Sequence, residues 1–166
     1  VSLEVLDPVP HILIAGGGHV GKSVSIVCDT LGWQHSVFDV RSEFSNQQRF
    51  PTATETVSCS VADFLKKEKS SSLSRFSDVL VLGHDWSVDQ ELLIGLLRDS
   101  PDNLRIGVIG SKSKWKGFVK AADESGIGKD GLSNARCPIG LDIGADSPEE
   151  IAVAICAEIL SMERGA

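Results

Sequence analysis

A chain of 166 residues is long enough for one domain with a full core and too short for two comfortable ones. Its hydrophobic share of 42% and charged share of 23% are those of an ordinary folded domain, with no apolar run long enough to span a bilayer and no signal-peptide pattern at its start. The net charge of −7 argues against nucleic acid as an electrostatic partner.

Residues 1–10, with Pro8 and Pro10, read as an extended lead-in, and 11–166 as a single domain. The chain opens on Val1 rather than Met, as a processed chain or a fragment would. The run "ILIA" (12–15) suits a buried strand. Val20, Val24, Val27 and Leu31 then recur at spacings of four, three and four, one apolar stripe of a helix. Further strands are expected at 36–40 "SVFDV" and 56–59 "TVSC", with 42–55 between them as loop or short irregular helix. The serine run 70–72 after "KKEK" reads as an exposed loop. A strand at 78–82, a helix at 88–97, a strand at 105–109 and a helix at 112–125 follow. In the last, Trp115, Phe118, Val119 and Ala122 form a face opposite four lysines. Residues 126–136 read as loop and 137–141 "CPIGL" as the sixth strand. The final helix is the best signed. Ser147 is its N-cap, Pro148 suits the first position, Glu150 completes a capping box and Gly165 stops it.

Strand and helix alternating about five times means a parallel sheet covered on both faces. The expected fold is therefore a doubly wound, Rossmann-like α/β domain with strand order 3-2-1-4-5-6. The cysteines, Cys28, Cys59, Cys137 and Cys156, make no C-x-x-C pair and no zinc spacing. They read as small buried apolar residues of a reducing, cytoplasmic protein.

Residues 16–23, "GGGHVGKS", satisfy two phosphate-binding patterns at once. Gly16, Gly18 and Gly21 fit G-x-G-x-x-G, and Gly16 to Ser23 fit G-x-x-x-x-G-K-[ST]. In a P-loop the helix begins near the Gly-Lys pair, so that the lysine reaches the terminal phosphates. In a dinucleotide turn it begins at the second glycine, and an acid about 20 residues on binds a ribose diol. Val20 belongs to the helical stripe, and Asp39 lies at the end of the second strand. Both favour the dinucleotide turn, with Lys22 and Ser23 as solvent-facing residues of its first helical turn. Gly17, His19 and Val20 would line that turn, with Asp39, Val40 and Arg41 on the ribose side. A 2′-phosphate would meet the Asp39 carboxylate, so NAD is expected to be favoured over NADP.

Other candidates lie at the same sheet edge. His84 and Asp85 follow the fourth strand, as ligand contacts or hydrogen-bonded structural residues. Gly110 and Ser111 follow the fifth, with Ser111 a ligand contact or the cap of the next helix. Lys112, Lys114 and Lys116 attract an anion or form a solvated face. Gly140 and Asp142 sit in a glycine-rich loop, where Asp142 binds a ligand or its own backbone. No nucleophile–base pair and no metal-ligand cluster stands out, and no catalytic residue is assigned.

Four stretches in order, "HILIAGGGHVGKSV" (11–24), "VFDVRSEFSNQQRFP" (37–51), "IGVIGSKSK" (106–114) and "CPIGLDIGADSPEEIAVAICAEIL" (137–160), make the chain resemble the XdhC/CoxI family, the xanthine dehydrogenase accessory factors, in their C-terminal Rossmann domain. The resemblance implies a chaperone-like factor of molybdenum enzyme maturation, which binds the molybdenum cofactor, assists its sulfuration and delivers it to xanthine dehydrogenase or a related hydroxylase; the expected ligand of the Gly16–Gly21 turn is then NAD or a related dinucleotide, or a molybdopterin-dinucleotide-like ligand. Full-length members carry an additional N-terminal domain to which nothing in this sequence corresponds, so a separate N-terminal XdhC-like partner is implied, and a homodimer is a further expected assembly. Where the family often has two acids, this chain has Asp39 and Val40, and its usual "THGH" is "GHDW" here. The rival readings are an NAD-dependent oxidoreductase, since precorrin-2 dehydrogenases also open with a "GGG" turn, and a P-loop nucleotide hydrolase.

Overall fold

The computed structural model describes residues 8–166, so the lead-in expected at 1–10 lies largely outside it. Six strands form one sheet in the order β3-β2-β1-β4-β5-β6: β1 (His11–Ala15), β2 (Gln34–Phe38), β3 (Thr56–Val57), β4 (Asp78–Val81), β5 (Arg105–Val108) and β6 (Ala135–Arg136). Every pairing is parallel, so each connection must cross over a face of the sheet. Alternation along the strands then feeds two cores. Leu13, Ala15, Phe38, Val79, Val81, Ile106 and Val108 point to one face, with α2 (Val61–Lys67), α4 (Trp86–Asp99) and α5 (Lys112–Glu124) supplying Phe64, Leu93 and Phe118. Ile12, Ile14, Val37 and Leu80 point to the other, under α1 (His19–Leu31) and α6 (Pro148–Arg164). This is the expected doubly wound Rossmann-like fold.

Helix ends obey their local signals. Gly32 closes α1 at φ +71° and Gly165 closes α6 at φ +66°, both left-handed. Ser147 accepts a bond from the backbone N–H of Glu150, and the Glu150 carboxylate accepts from that of Ser147, so the capping box is complete. Of the apolar stripe on α1, Val24 is fully buried and Val20 and Val27 pack on the core, while Leu31 is exposed.

Several expectations need correction. The second strand begins and ends two residues before the expected 36–40, because Gly32 turns the chain straight into Gln34, whose N–H donates to Pro10. The sixth strand is Ala135–Arg136, not 137–141. Pro138 has no N–H for a ladder, and Gly140 turns left-handed at φ +92°. Ile139 instead packs on the core and Leu141 donates to the Ala154 carbonyl. The serine run lies in a short helix, α3 (Ser70–Leu73), because Leu73 and Phe76 are buried. Glu68, also buried, anchors it by accepting from Ser72 and from Arg75. Helix α2, capped by Ser60, adds to the expected elements.

All four cysteines are free. Cys28 and Cys156 are buried where α1 meets α6, and their mutual hydrogen bond and burial push the Cys28 thiol up, so it stays protonated. Cys59 and Cys137 are only partly buried. No helix among the described residues is long and apolar enough to cross a membrane. Because the capping box is complete, Ser147→Ala should cost about 1 kcal/mol of stability, read as a lower urea midpoint at unchanged slope.

Candidate functional site

The glycine turn joins β1 to α1 at the carboxyl edge of the sheet. Gly16 turns at φ +123°, and a Cβ there would lie 2.8 Å from the backbone of Leu82 and Gly83. A Cβ on Gly21 would lie 2.1 Å from the Gly16 carbonyl oxygen, so this glycine lets the helix close onto the turn. Gly18 differs from both. A Cβ there meets nothing within 4 Å. It is the N-cap of α1, whose first turn has no side-chain cap and no acid. Open space, uncapped N–H groups and a helix N-terminus converge there, which is what a pyrophosphate requires.

The helix starts at His19, and its first-turn bond runs from the Lys22 N–H to the Gly18 carbonyl. That is the geometry of a dinucleotide turn, not of a P-loop. Lys22 and Ser23 do not face solvent as the sequence implied; both are largely inside. The Lys22 ammonium donates to the Arg49 carbonyl at 2.6 Å and lies over the Phe50 ring, and Ser23 is buried. His19 is exposed on the first turn and Val20 faces the core.

A cleft of about 200 Å³ opens beside the turn, between the ends of β2 and β4 and the start of α4. Phe38, Val88 and Leu92 give it apolar walls. Asp39, Val40 and Arg41 border it on the β2 side, and Gly83, His84 and Asp85 on the β4 side. The Asp39 carboxylate is buried at 5% exposure and accepts four hydrogen bonds. They come from the Gly17 N–H at 2.9 Å and from the Arg41 N–H, Nε and Nη2, each at 3.0 Å. Burial pushes this carboxyl up, but the Arg41 and Gly17 bonds outweigh it and hold it below its ordinary value. Asp39 therefore does not stand free toward a ribose, as the sequence implied. Arg41 also stacks on Phe44, 3.8 Å from the ring centroid.

The other candidates are placed as follows. Asp85 caps α4, accepting from the Ser87 and Val88 N–H groups. Ser111 caps α5. Gly140 packs against Ala154, and Asp142 is exposed on its loop, both away from the cleft. His84 is exposed at the cleft edge. Lys114 is the exception to the solvated lysine face. Its ammonium pairs with buried Asp89 at 2.9 Å and donates to the Ile109 carbonyl. Asp89 lines the cleft, packed so tightly beneath Gly83 that a Cβ there would lie 2.2 Å from Oδ1. Sequence spacing also gives no sign of Arg49. Its Nε donates to the Gly17 carbonyl at 2.8 Å, a contact that exists only because 42–51 folds back over the turn. Among the described residues, no three His, Cys, Asp or Glu side chains stand close enough to hold a metal ion.

Sheet order, glycine turn and edge cleft define a doubly wound domain of the Rossmann class. The model of the XdhC Rossmann domain matches residues 12–159, and the chain belongs to that family. It is 27% identical over its whole length to the uncharacterized protein YqeB of Escherichia coli (strain K12), covering 30% of that protein. It is 26% identical over 163 residues to a probable xanthine dehydrogenase subunit from Bacillus subtilis (strain 168), covering 46% of it. A crystal structure described as a xanthine dehydrogenase from Bacillus halodurans superposes with a TM-score of 0.78 at 28% identity, over 96% of this chain and 44% of that one. The chain thus spans less than half the length of these relatives. The NAD(P)-binding domain of an exopolyphosphatase-related protein from Archaeoglobus fulgidus shares the fold, with a TM-score of 0.53 at 19% identity over 69% of this chain and 84% of that one.

The buried Asp89–Lys114 pair can be tested by its pH dependence. Burial holds the Asp89 carboxyl above its ordinary value, with Lys114 opposing but not cancelling the shift. The native state then binds more protons than the unfolded one, and this group's contribution falls as pH rises from its unfolded pKa through the folded one. Lys114→Met strands the carboxylate and should cost about 3 kcal/mol near neutrality. Urea titrations from pH 4 to pH 7 should show a smaller loss at the acid end.

Proposed function

We propose that this domain is the nucleotide-binding part of an XdhC-type accessory protein that helps mature a molybdenum hydroxylase such as xanthine dehydrogenase. It binds a dinucleotide at the Gly16–Gly21 turn and in the adjoining cleft. Its contribution is binding and handover, with the molybdenum cofactor as a second ligand of the whole assembly. The cytoplasm, a homodimer and a separate N-terminal XdhC-like partner belong to the same reading. The family membership supports the accessory role, and the fold shared with NAD(P)-binding domains supports a dinucleotide in general.

The observation that carries the binding reading is the open position at Gly18 beside the uncapped N-terminus of α1. Gly18 has an ordinary φ of −69°, so Gly18→Val should fold with little loss of stability. It fills the space where a pyrophosphate must approach, and dinucleotide affinity should fall at least about tenfold, or 1.4 kcal/mol. Isothermal calorimetry beside a thermal melt checks both parts. Unchanged affinity in a folded Gly18→Val protein removes the turn as the site. Lys22 is bonded to the Arg49 carbonyl, so Lys22→Ala should change dinucleotide affinity by no more than about threefold, roughly 0.7 kcal/mol. Loss of ATP binding together with magnesium-dependent phosphate release would instead favour a nucleotide hydrolase. The accessory role is read from the activity of a molybdenum hydroxylase produced with the wild-type chain and with Gly18→Val.

A further inference from the structure

A free acid at the end of the second strand of such a fold accepts the two hydroxyls of an adenosine ribose and repels a 2′-phosphate. The acid of this chain is not free. An ionised carboxylate has about four acceptor sites, and Asp39 directs its oxygens to four donors of the chain itself. Three of the four belong to Arg41, which binds both carboxylate oxygens through its side chain. The diol of a ribose would have to displace that guanidinium, which the face of Phe44 also holds.

Arg41, by contrast, has donors to spare. Only Nε and Nη2 are used on Asp39, and its side chain is 31% exposed at the border of the cleft. Arg49 adds a second guanidinium, 5.2 Å from the same Phe44 ring. It uses Nε on the Gly17 carbonyl, and its terminal nitrogens donate to no described residue. Lys22 lies 5.2 Å from the Phe50 ring. Three cations therefore gather around Phe44 and Phe50, against the acids Asp39 and Glu43, in a chain whose net charge is −7. A local excess of positive charge on an acidic protein fits a ligand with more phosphate than a bare pyrophosphate. The planar guanidinium fork is the group that matches phosphate oxygens in pairs.

Resting on the dinucleotide reading above, we propose that the ribose end of this site accepts a 2′-phosphorylated adenosine. Arg41 reads the ligand there, while Asp39 serves to hold Arg41 and the glycine turn in place. Dinucleotides of the NADP type then bind at least as tightly as NAD, the reverse of the preference that the bare sequence pattern implies.

The test is calorimetric titration of NAD, NADP, 5′-AMP and 2′,5′-ADP against wild type, Arg41→Ala and Arg41→Lys, each with a thermal melt. In the wild type NADP should equal or exceed NAD, and 2′,5′-ADP should bind at least about fivefold tighter than 5′-AMP. Arg41→Ala exposes the Asp39 carboxylate to the ribose, so NADP should weaken at least about tenfold while NAD stays within about threefold. Arg41→Lys keeps the charge without the fork and should move the NADP-to-NAD ratio in the same direction by less. It decides the matter if the alanine variant does not fold. A wild type that prefers NAD by more than about threefold overturns the inference and leaves the dinucleotide site standing, as does a ratio unmoved in the folded variants. Binding of none of the four probes to the wild type overturns the dinucleotide reading and this inference together.

Discussion

The Asp39 carboxylate is the contact on which the rest of the site depends. It joins the glycine turn after β1 to the segment after β2 through the Gly17 N–H, and fixes Arg41 by three further bonds. Arg49 grips the same residue on its other side, donating to the Gly17 carbonyl. With both sides of this residue held, loop 42–51 lies so close that a Cβ on Gly17 would stand 1.7 Å from the Phe44 carbonyl oxygen. The turn therefore cannot relax, and Gly18 is left presented to solvent. A buried charge of this kind is costly unless fully paired, and here every acceptor site is filled. Its depressed pKa means the pairing contributes above the unfolded carboxyl pKa and is lost as pH falls through the folded one.

The two cores make that precision possible. Each buried strand sends alternate residues to opposite faces, so β1 is anchored by Leu13 and Ala15 on one side and by Ile12 and Ile14 on the other. A strand held on both faces cannot slip by one residue without exchanging its whole apolar set. The carboxyl ends of β1, β2 and β4 are thereby fixed relative to one another, and the cleft between them is a consequence of the sheet rather than of a mobile loop. Beneath Gly83 the Asp89–Lys114 pair ties α4 to α5 at the same edge.

Much of this was legible in the sequence because it is local. The glycine spacing, the α1 stripe, the Ser147–Glu150 box and the strand–helix alternation are each read over short stretches, and the glycine turn after the first strand pointed to the strand order of the Rossmann fold. The failures have a common physical cause. "CPIGL" has strand-like composition, yet Ile139 packs on the core and Leu141 donates to the Ala154 carbonyl of α6, more than ten residues away. The serines 70–72 look like loop until Leu73 is seen to be buried. At the site, position and residue type place Asp39 at the end of β2, but whether its oxygens are free is decided by the Gly17 and Arg41 donors that meet it. Lys114 looked like one of several surface lysines, and only its contact with Asp89, 25 positions away, separates it from them. Spacing encodes which face a side chain takes, but not which distant polar group awaits it.

The carboxyl edge is also unevenly equipped, and this bears on how a ligand would be shared. On the β2–β1–β4 side there are a cleft, an open helix N-terminus and guanidinium groups with unused donors. On the β5–β6 side Ser111 is occupied as a cap, Lys114 by Asp89, and Gly140 by packing against α6. A ligand bound as proposed would be gripped at its adenosine and phosphate end and presented at the other. That asymmetry is what handover asks of a binding domain: one end is held firmly by the domain, and the other is left accessible to a different protein surface.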